Sequence, residues 1–155
     1  MIQGLLSCAL GAFCVAASLS LTVPGRSEPL SEVELITAAE ASYPPNIPDE
    51  VRGPIPGPKI DVISPPEDVA QKSPIRLIIR FRTFGGAAVD TDSVRMIYEK
   101  KPLVELTPRI ASYVTAAGIR LDRARVPPGT HVIRLQLKDT ANRLSVAAFK
   151  FSVAP

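Results

Sequence analysis

Arginine is the residue type whose spacing in this chain points most directly to chemistry. Arg76, Arg80 and Arg82 occupy polar positions of a run in which apolar residues alternate with polar ones, and Arg120 lies in a second such run. Alternate residues of a β-strand point to the same side. Three arginines are therefore predicted on the outward face of one strand, and Arg120 joins them if its strand pairs in the same sheet.

These four arginines suit an anionic ligand, because the planar guanidinium group binds sulfate, phosphate and carboxylate groups in bidentate fashion. They are the candidate ligand-binding residues: Arg76, Arg80, Arg82 and Arg120. The ligand would be an acidic polysaccharide, a lipid head group or an acidic protein. The other interpretation is that outward strand positions need long polar side chains, which also keep a sheet soluble.

Asp90 and Asp92 are a weak candidate for a calcium site. Two carboxylates at positions i and i+2, with Ser93 beside them, supply oxygen ligands of the kind that calcium prefers. Aspartate and serine are also ordinary turn formers before a strand, and no third acidic residue lies nearby in the sequence. We therefore expect no metal site and no cofactor.

Residues for catalysis are scarce. His131 is the only histidine, and it is either a general base or metal ligand, or a turn residue that caps the entry to the sixth predicted strand. Both cysteines, Cys8 and Cys14, lie in the apolar N-terminal run, so the rest of the chain has no thiol nucleophile, zinc thiolate or disulfide. No serine has the surroundings of a Ser-His-Asp triad. Glu99 and the acidic residues at 67–68 could be imagined as the two carboxylates of a glycosidase, but nothing in the sequence around them indicates a cleft. We predict that the chain is not an enzyme.

The first part of the chain predicts export. No charged residue occurs from Gly4 to Val23, and residues 5–15 form an apolar segment of signal-peptide length that small residues follow. We predict a signal peptide over residues 1–20 and a periplasmic or secreted protein. The alternative is an uncleaved anchor over residues 4–23 in the inner membrane, because about 20 charge-free residues are enough for one spanning helix. No other membrane contact is predicted.

Residues 21–58 are predicted to form an acidic, proline-rich linker. Residues 26–58 contain two basic and six acidic side chains, a net charge of −4. Ser31 and Glu34 have capping-box spacing and open a helical pattern that runs to about Ala41, and the prolines that follow cannot continue a helix. We expect a semi-stiff spacer. The alternative is that this acidic segment folds back on the basic remainder of the chain and masks it.

The rest of the chain, residues 59–155, predicts β-structure, because apolar and polar residues alternate in short runs separated by turn residues. The predicted strands are 59–64, 74–82, 93–99, 103–106, 118–121, 130–138 and 145–153, with an ambiguous stretch at 108–114. The predicted inward residues include Ile75, Leu77, Ile79, Phe81, Val94, Met96, Tyr98, Ile133, Leu135, Leu137, Ala147, Phe149, Phe151 and Val153. About seven short strands is the count of a small β-sandwich.

The same residues resemble the immunoglobulin-like (Ig-like) modules of exported bacterial proteins. The resemblance rests on residues 60–65, 89–94 and 128–131, and on Asp139-Thr-Ala-Asn142, where such modules carry an Asp-x-x-(Gly)-Asn turn between the last two strands. It implies an all-β fold, a single Ig-like β-sandwich of about seven strands. It implies no catalytic residues, because such modules are mostly spacers, adhesion units and ligand-presenting domains, and likeness of fold licenses no activity.

Charge and export together narrow the function to two classes. Residues 59–155 contain 16 basic and nine acidic residues, a net charge of +7. We expect a non-catalytic exported module that interacts with an unknown protein of the cell envelope or serves as a structural spacer there. The alternative is a module that binds a polyanion, an acidic glycan or lipid, through its arginines. Nucleic acid is not an expected partner, because the N-terminal segment predicts export and the chain lacks aromatic residues interleaved with its exposed basic ones.

Overall fold

A computed structural model describes residues 31–46 and 57–155, which are mostly β-structure in two sheets packed as a sandwich. The all-β sandwich that the sequence predicts is therefore present. The predicted signal peptide or anchor, and residues 21–30 and 47–56 of the predicted linker, lie outside the described residues. No helix in the described ranges is long and apolar enough to cross a membrane.

Nine strands, two short α-helices and one 3-10 helix follow one another along the described residues. In chain order they are β1 (Val33–Glu34), α1 (Ala38–Ala41), β2 (Lys59–Ser64), β3 (Ile75–Arg82), β4 (Val89–Tyr98), β5 (Val104–Glu105), α2 (Thr107–Ile110), the 3-10 helix (Ala111–Tyr113), β6 (Val114–Thr115), β7 (Gly118–Arg125), β8 (Gly129–Asp139) and β9 (Leu144–Val153). Strands β2 to β5 and β7 to β9 lie at the predicted runs, whereas β1 and β6 lie outside them. The stretch that the sequence left ambiguous is helical over most of its length.

The first sheet has the strand order β1-β7-β3-β2, with β6 also paired to β7. The predicted inward residues of β3 are all buried, the three arginines of the strand are exposed, and Ile78 on the outward side is half-buried. Gly118 begins β7 with a φ of 148°, and a Cβ there would lie 2.0 Å from the carbonyl oxygen of Ile79 on β3. Only glycine lets the two strands approach so closely at this point.

The second sheet has the order β5-β4-β8-β9 and ends in the β8–β9 hairpin. In its turn, Oδ1 of Asp139 accepts hydrogen bonds from the amides of Ala141 and Arg143, and Asn142 adopts a left-handed φ of 60° that asparagine tolerates. Burial opposes ionisation of Asp139, but the bonds from the Arg143 amide and guanidinium outweigh it and lower the pKa of Asp139. The polar turn predicted between the last two strands is thus a fixed hairpin turn.

The core lies between the two sheets and consists of aliphatic and aromatic side chains. The predicted inward positions of β3, β4 and β8 are all buried, as are three of the four on β9, whereas Ala147 is only half-buried. Leu106 and Ile110, around α2, are also fully buried. Leu35 and Ile36, which precede the predicted sandwich in the sequence, complete the core with exposed fractions of 0% and 1%.

Residues 31–46, called the strap below, fold onto the sandwich, although the sequence predicted a linker over this range. Strand β1 in the strap pairs in parallel with β7 at Ala124 and Arg125 of the first sheet. At the other end of the strap, Pro45 forms a bridge with Lys100, just beyond β4 of the second sheet. The linker prediction failed here because two adjacent apolar residues stand in an acidic, proline-rich segment, and averaging the composition conceals them.

The helix of the strap begins later than predicted. Its N-cap is Thr37, whose hydroxyl accepts a hydrogen bond from the Glu40 amide at 3.2 Å, while the Glu40 carboxylate accepts one from the Thr37 amide at 2.9 Å. Ser31 and Glu34 have the same spacing, but Ser31 lies before β1 and Glu34 is the last residue of β1. Because the capping-box spacing occurs twice, spacing alone could not select the correct pair.

Candidate functional site

The four predicted arginines lie on one exposed face of the first sheet. Strands β3 and β7 are antiparallel neighbours, and Ile78 is the ladder partner of Arg120. Arg76, Arg80 and Arg82 alternate with the buried residues of β3 on the same side as Ile78, and all three are exposed. The strand pairing that the sequence left open therefore places Arg120 on the same face as the other three, diagonally opposite Arg76 and Arg80. We call these four residues the arginine face.

Asp61 on β2 matches part of the positive charge at one end of the arginine face. Its carboxylate lies 2.6 Å from Nε of Arg82 and 3.2 Å from Nζ of Lys59. The hydrogen bond from Arg82 holds the pKa of Asp61 below its ordinary value, against the opposing effect of burial. The Arg82 and Lys59 side chains are more than half exposed, so these ion pairs contribute little to stability.

Asp122 on β7 is shared by two arginines at the other end of the face. One of its oxygens lies 3.4 Å from Nε of Arg76, and the other lies 3.4 Å from Nε of Arg120. Both distances are longer than those of strong charge-assisted hydrogen bonds. The two arginine side chains are 62% and 73% exposed, so most of each guanidinium group is open to solvent.

Arg80, at the centre of the face, has no acidic partner in the described part of the chain. Its ladder partners are Asp61 on β2 and Gly118 on β7, but the carboxylate of Asp61 is already bound to Arg82 and Lys59. Including Lys59, five basic side chains surround two acidic ones on this side of the sheet. The face therefore carries an excess of positive charge.

The spacing of the arginine face suits an extended anion rather than a single one. From Arg76 to Arg82 the strand rises about 20 Å, at roughly 3.3 Å per residue. One phosphate or sulfate group cannot contact arginines so far apart, whereas a polymer or a surface with repeated negative charges can. Because the guanidinium groups are exposed, such a ligand would meet them without displacing core residues.

The outer face of the second sheet also carries basic residues, but part of their charge is used within the protein. Nε of Arg134 lies 2.9 Å from Oε1 of Glu99, in an ion pair whose alignment falls short of a hydrogen bond. Glu99 is 1% exposed, and its Oε2 accepts a 2.6 Å hydrogen bond from Asn46 of the strap. Arg95 lies 3.8 Å from Glu105. This face therefore offers less unmatched charge.

His131 is a core residue, and the prediction that it is a turn residue was wrong. It lies on β8, 1% exposed, between the rings of Tyr98 and Phe151, whose centroids are 5.7 and 5.4 Å away. The carbonyl oxygen of Pro127, 2.9 Å from Nε2, can only accept a hydrogen bond, so Nε2 carries the proton. Nδ1 then accepts from the Tyr98 hydroxyl at 2.8 Å. Neither nitrogen remains for a substrate or a metal.

The buried pair of His131 and Tyr98 is neutral at neutral pH. Burial lowers the pKa of His131; the hydrogen bond to Pro127 opposes this effect, and the positive charge of Lys100 adds to it. Burial, assisted by the negative charge of Glu40, raises the pKa of Tyr98 to about 12. The pair therefore stabilises the core as a neutral hydrogen-bonded unit.

Asp90 and Asp92 lie in an irregular part of β4 and act as turn residues. Oδ1 of Asp90 accepts a 3.1 Å hydrogen bond from the Asp92 amide. The Ser93 hydroxyl donates to the Asp90 carbonyl oxygen at 2.6 Å and accepts from the Lys138 amide at 2.7 Å. In residues 31–46 and 57–155, no group of three or more His, Cys, Asp or Glu residues is arranged to hold a metal ion. The calcium hypothesis therefore gains no further ligand from the fold.

The sequence did not reveal the ion pair that fastens the strap. Arg109 donates from Nη1 and Nη2 to the two oxygens of Glu40, at 2.8 and 2.7 Å, and from Nη1 to the carbonyl oxygen of Leu35 at 2.8 Å. These bonds from Arg109 lower the pKa of Glu40 to about 2, although burial opposes the shift. The spacing of Thr37 and Glu40 could have placed Glu40 in a capping box, but nothing in the sequence pairs it with Arg109.

The strap also brings acidic residues onto the basic sandwich, as the fold-back alternative predicted for residues 26–58. Glu32 forms ion pairs with Arg123 and Arg125 of β7, and Glu40 forms one with Arg109. None of these arginines belongs to the arginine face. The described part of the strap therefore leaves that face uncovered.

A groove lies at the opposite edge of the sandwich, between β2 and β9, and the sequence gave no sign of it. Its volume is about 370 Å³, and Gly57, Ile60, Phe84 and Ser145 are among its lining residues. The Ser145 hydroxyl is buried and has no hydrogen-bond partner among the described residues. Phe84, by contrast, is 58% exposed. The groove is therefore a second surface that could bind a partner.

Comparison of the chain with protein-family models, with curated proteins and with solved structures finds no match. The Ig-like resemblance therefore stays a prediction, and the function must be inferred from the geometry described above.

Proposed function

We propose that this protein is an exported, non-catalytic Ig-like module that binds an extended anionic partner through the arginine face. The observation that carries the proposal is the pairing of β3 with β7, which sets Arg120 opposite Ile78 and gathers four exposed arginines on one face of the first sheet. Only two carboxylates lie among these residues. An excess of exposed positive charge attracts polyanions in a manner that salt weakens.

A non-catalytic role agrees with how the reactive side chains are used. Both nitrogens of His131 are engaged within the core. The buried Glu99 is held by Arg134 and Asn46. Export is supported by the charge-free segment from Gly4 to Val23. The role of a passive spacer has less support, because the strap is folded onto the sandwich.

Binding of dextran sulfate to the full chain in a neutral detergent tests the proposal. In the face variant, Arg76, Arg80 and Arg82 are changed to Glu, and in the control variant Arg95, Lys138 and Lys150 on the second sheet are changed to Glu. Both variants undergo the same change in net charge. We expect wild-type binding to weaken steeply with added salt, the face variant to lose binding, and the control variant to keep most of it. Equal losses in both variants would show that net charge, and not the face, is responsible.

Protein–protein interaction at the groove between β2 and β9 is a second candidate function. It is favoured by the exposure of two large apolar side chains near the groove, Phe84 at 58% and Leu144 at 45%. Co-purification of the tagged full chain from envelope fractions at low and high salt separates the two candidates. A discrete protein partner that survives high salt and is lost in Phe84→Ala would favour the groove. Recovery of acidic glycan or lipid at low salt only would favour the arginine face.

A further inference from the structure

We propose that the anionic partner of the arginine face is a membrane surface, and that residues 4–23 anchor the chain in that same membrane. This inference rests on the proposed function and names its ligand as anionic lipid head groups. Three observations carry it: the folding of the strap, the place where the strap meets the sandwich, and the excess charge of the arginine face.

The folded strap shortens the connection between the apolar segment and the sandwich. A linker over residues 21–58 would let the domain stand far from a membrane. Because the strap is folded onto the sandwich by β1 at Val33–Glu34, the connection from the apolar stretch to the first described residue is at most residues 24–30. Seven extended residues reach at most about 25 Å. A chain anchored by residues 4–23 would therefore hold the domain at the membrane surface.

The strap meets the sandwich beside the arginine face. Val33 on β1 is paired with Ala124 on β7, and Ala124 is paired with Ile75 on β3. Neighbouring strands lie about 4.8 Å apart, so Val33 is separated by roughly 10 Å from the start of β3, where Arg76 follows Ile75. The short connection therefore ends next to the Arg76 end of the face and in the same sheet.

Charge then favours contact between this face and anionic lipid. Each basic residue close to an anionic bilayer strengthens binding roughly fivefold. The connection also keeps the face near the bilayer at a high effective concentration, so weak contacts suffice. A soluble acidic polysaccharide would gain nothing from either the short connection or its position. Lipid head groups are therefore the ligand that all three observations favour.

A fluorescent probe on the face tests the orientation in the full chain. A polarity-sensitive fluorophore is attached at Ile78→Cys in the centre of the face or, as a control, at Ala148→Cys on the outer side of the second sheet, with Cys8 and Cys14 changed to Ser. The chain is reconstituted into vesicles of phosphatidylcholine with or without phosphatidylglycerol. We expect a blue shift at position 78 only in vesicles with phosphatidylglycerol, and its loss at high salt and after Arg76, Arg80 and Arg82 are changed to Glu.

The outcomes separate this inference from the proposed function. No blue shift at position 78, in a protein that still binds dextran sulfate through the face, would overturn the lipid inference and leave the proposed function standing. A chain that binds neither anion would overturn both. Equal shifts at positions 78 and 148 would overturn the orientation. Alkaline extraction of cell membranes tests the anchor: we expect the chain to stay in the pellet, and its release would overturn anchoring by residues 4–23.

Discussion

Arginines in two regions of this molecule differ in what surrounds them. Arg109 under the strap is held by Glu40 through two hydrogen bonds of 2.8 and 2.7 Å, and the two side chains are only 30% and 15% exposed. Arg80 at the centre of the arginine face is exposed and has no described acidic partner. Local pairing and burial, and not the count of basic residues, therefore decide which arginines stabilise the fold.

The same difference separates the two ways in which acidic residues act in this protein. In the strap, the carboxylate of Glu40 is largely buried and meets a single guanidinium in good geometry. On the arginine face, the carboxylate of Asp122 is divided between two exposed guanidinium groups at longer distances. Substitutions in the strap should therefore change stability, and substitutions on the face should change binding.

Leu35→Ala in the strap should cause the largest loss of stability. We expect the free energy of unfolding to fall by about 3 kcal/mol, because removal of a fully buried side chain leaves a cavity. Denaturant unfolding of the full chain in a neutral detergent measures it. Ile63→Ala on β2, where the side chain is 47% exposed, is the matched control and should cost less than about 0.5 kcal/mol. Equally small losses would mean that the strap does not pack on the core.

Glu40→Gln should destabilise the protein by about 2 kcal/mol, because it breaks a partly buried, bidentate ion pair. The pKa of Glu40 is about 2 in the folded chain against an ordinary value of 4.5. The stability from this pair is therefore complete above pH 4.5 and is lost as the pH falls towards 2. Unfolding measured across this range should lose that part of its pH dependence in the variant. Glu105→Gln, which removes one member of an exposed ion pair, should leave the pH dependence of unfolding unchanged. Loss of this pH dependence in both variants would argue against a special role of Glu40.

His131 predicts a smaller effect in a separate pH window. Because burial lowers its folded pKa below the ordinary 6.5, the unfolded chain binds the proton more readily. Stability is therefore complete above about pH 6.5 and falls as the pH drops towards the folded pKa, by at most about 1.4 kcal/mol per pH unit. Unfolding midpoints between pH 7.5 and about 5 should show this slope in the wild type and not in His131→Gln. A flat wild-type profile would contradict the buried neutral state.

Substitution of an arginine on the arginine face should have the smallest effect on stability. Arg80→Ala should change the free energy of unfolding by less than about 0.5 kcal/mol, yet weaken binding to dextran sulfate severalfold at low salt, because it removes the exposed guanidinium group at the centre of the face. Lys150→Ala on the second sheet removes the same charge and should leave binding nearly unchanged. A marked loss of stability in Arg80→Ala would place this residue in the same structural class as Arg109.

The alternation of apolar and polar residues was enough to predict most of the sandwich. It located β3, β8 and β9, the inward residues of β3 and the apolar inward residues of β8, because a strand buried on one face requires that period. It could not state which strands are neighbours, so the place of Arg120 depended on a pairing that only the fold reveals. The outward direction of Arg76, Arg80 and Arg82 needed no such knowledge.

The strap and His131 were mispredicted because long-range contacts determine them. Leu35 and Ile36 are buried by strands that lie far along the chain, and no local pattern marks them as core residues. His131 occupies an inward position of β8, directly opposite Phe151, but its partner Tyr98 is on another strand. The alternation of β8 puts residue 131 on the same side as Ile133, but a histidine at the start of a strand favoured the turn interpretation, and only the contact with Tyr98 shows how its nitrogens are satisfied in the core.

Residue-resolved NMR titration of the full chain with dextran sulfate, in a neutral detergent, would locate the anion-binding surface on the protein. We expect backbone amide signals to shift at residues 76–82 and 118–122, the shifts to reverse with added salt, and residues 144–153 to be unaffected. Shifts centred on Phe84 and Ser145 in the groove, or no shift at residues 76–82, would contradict the assignment of the arginine face as the binding surface.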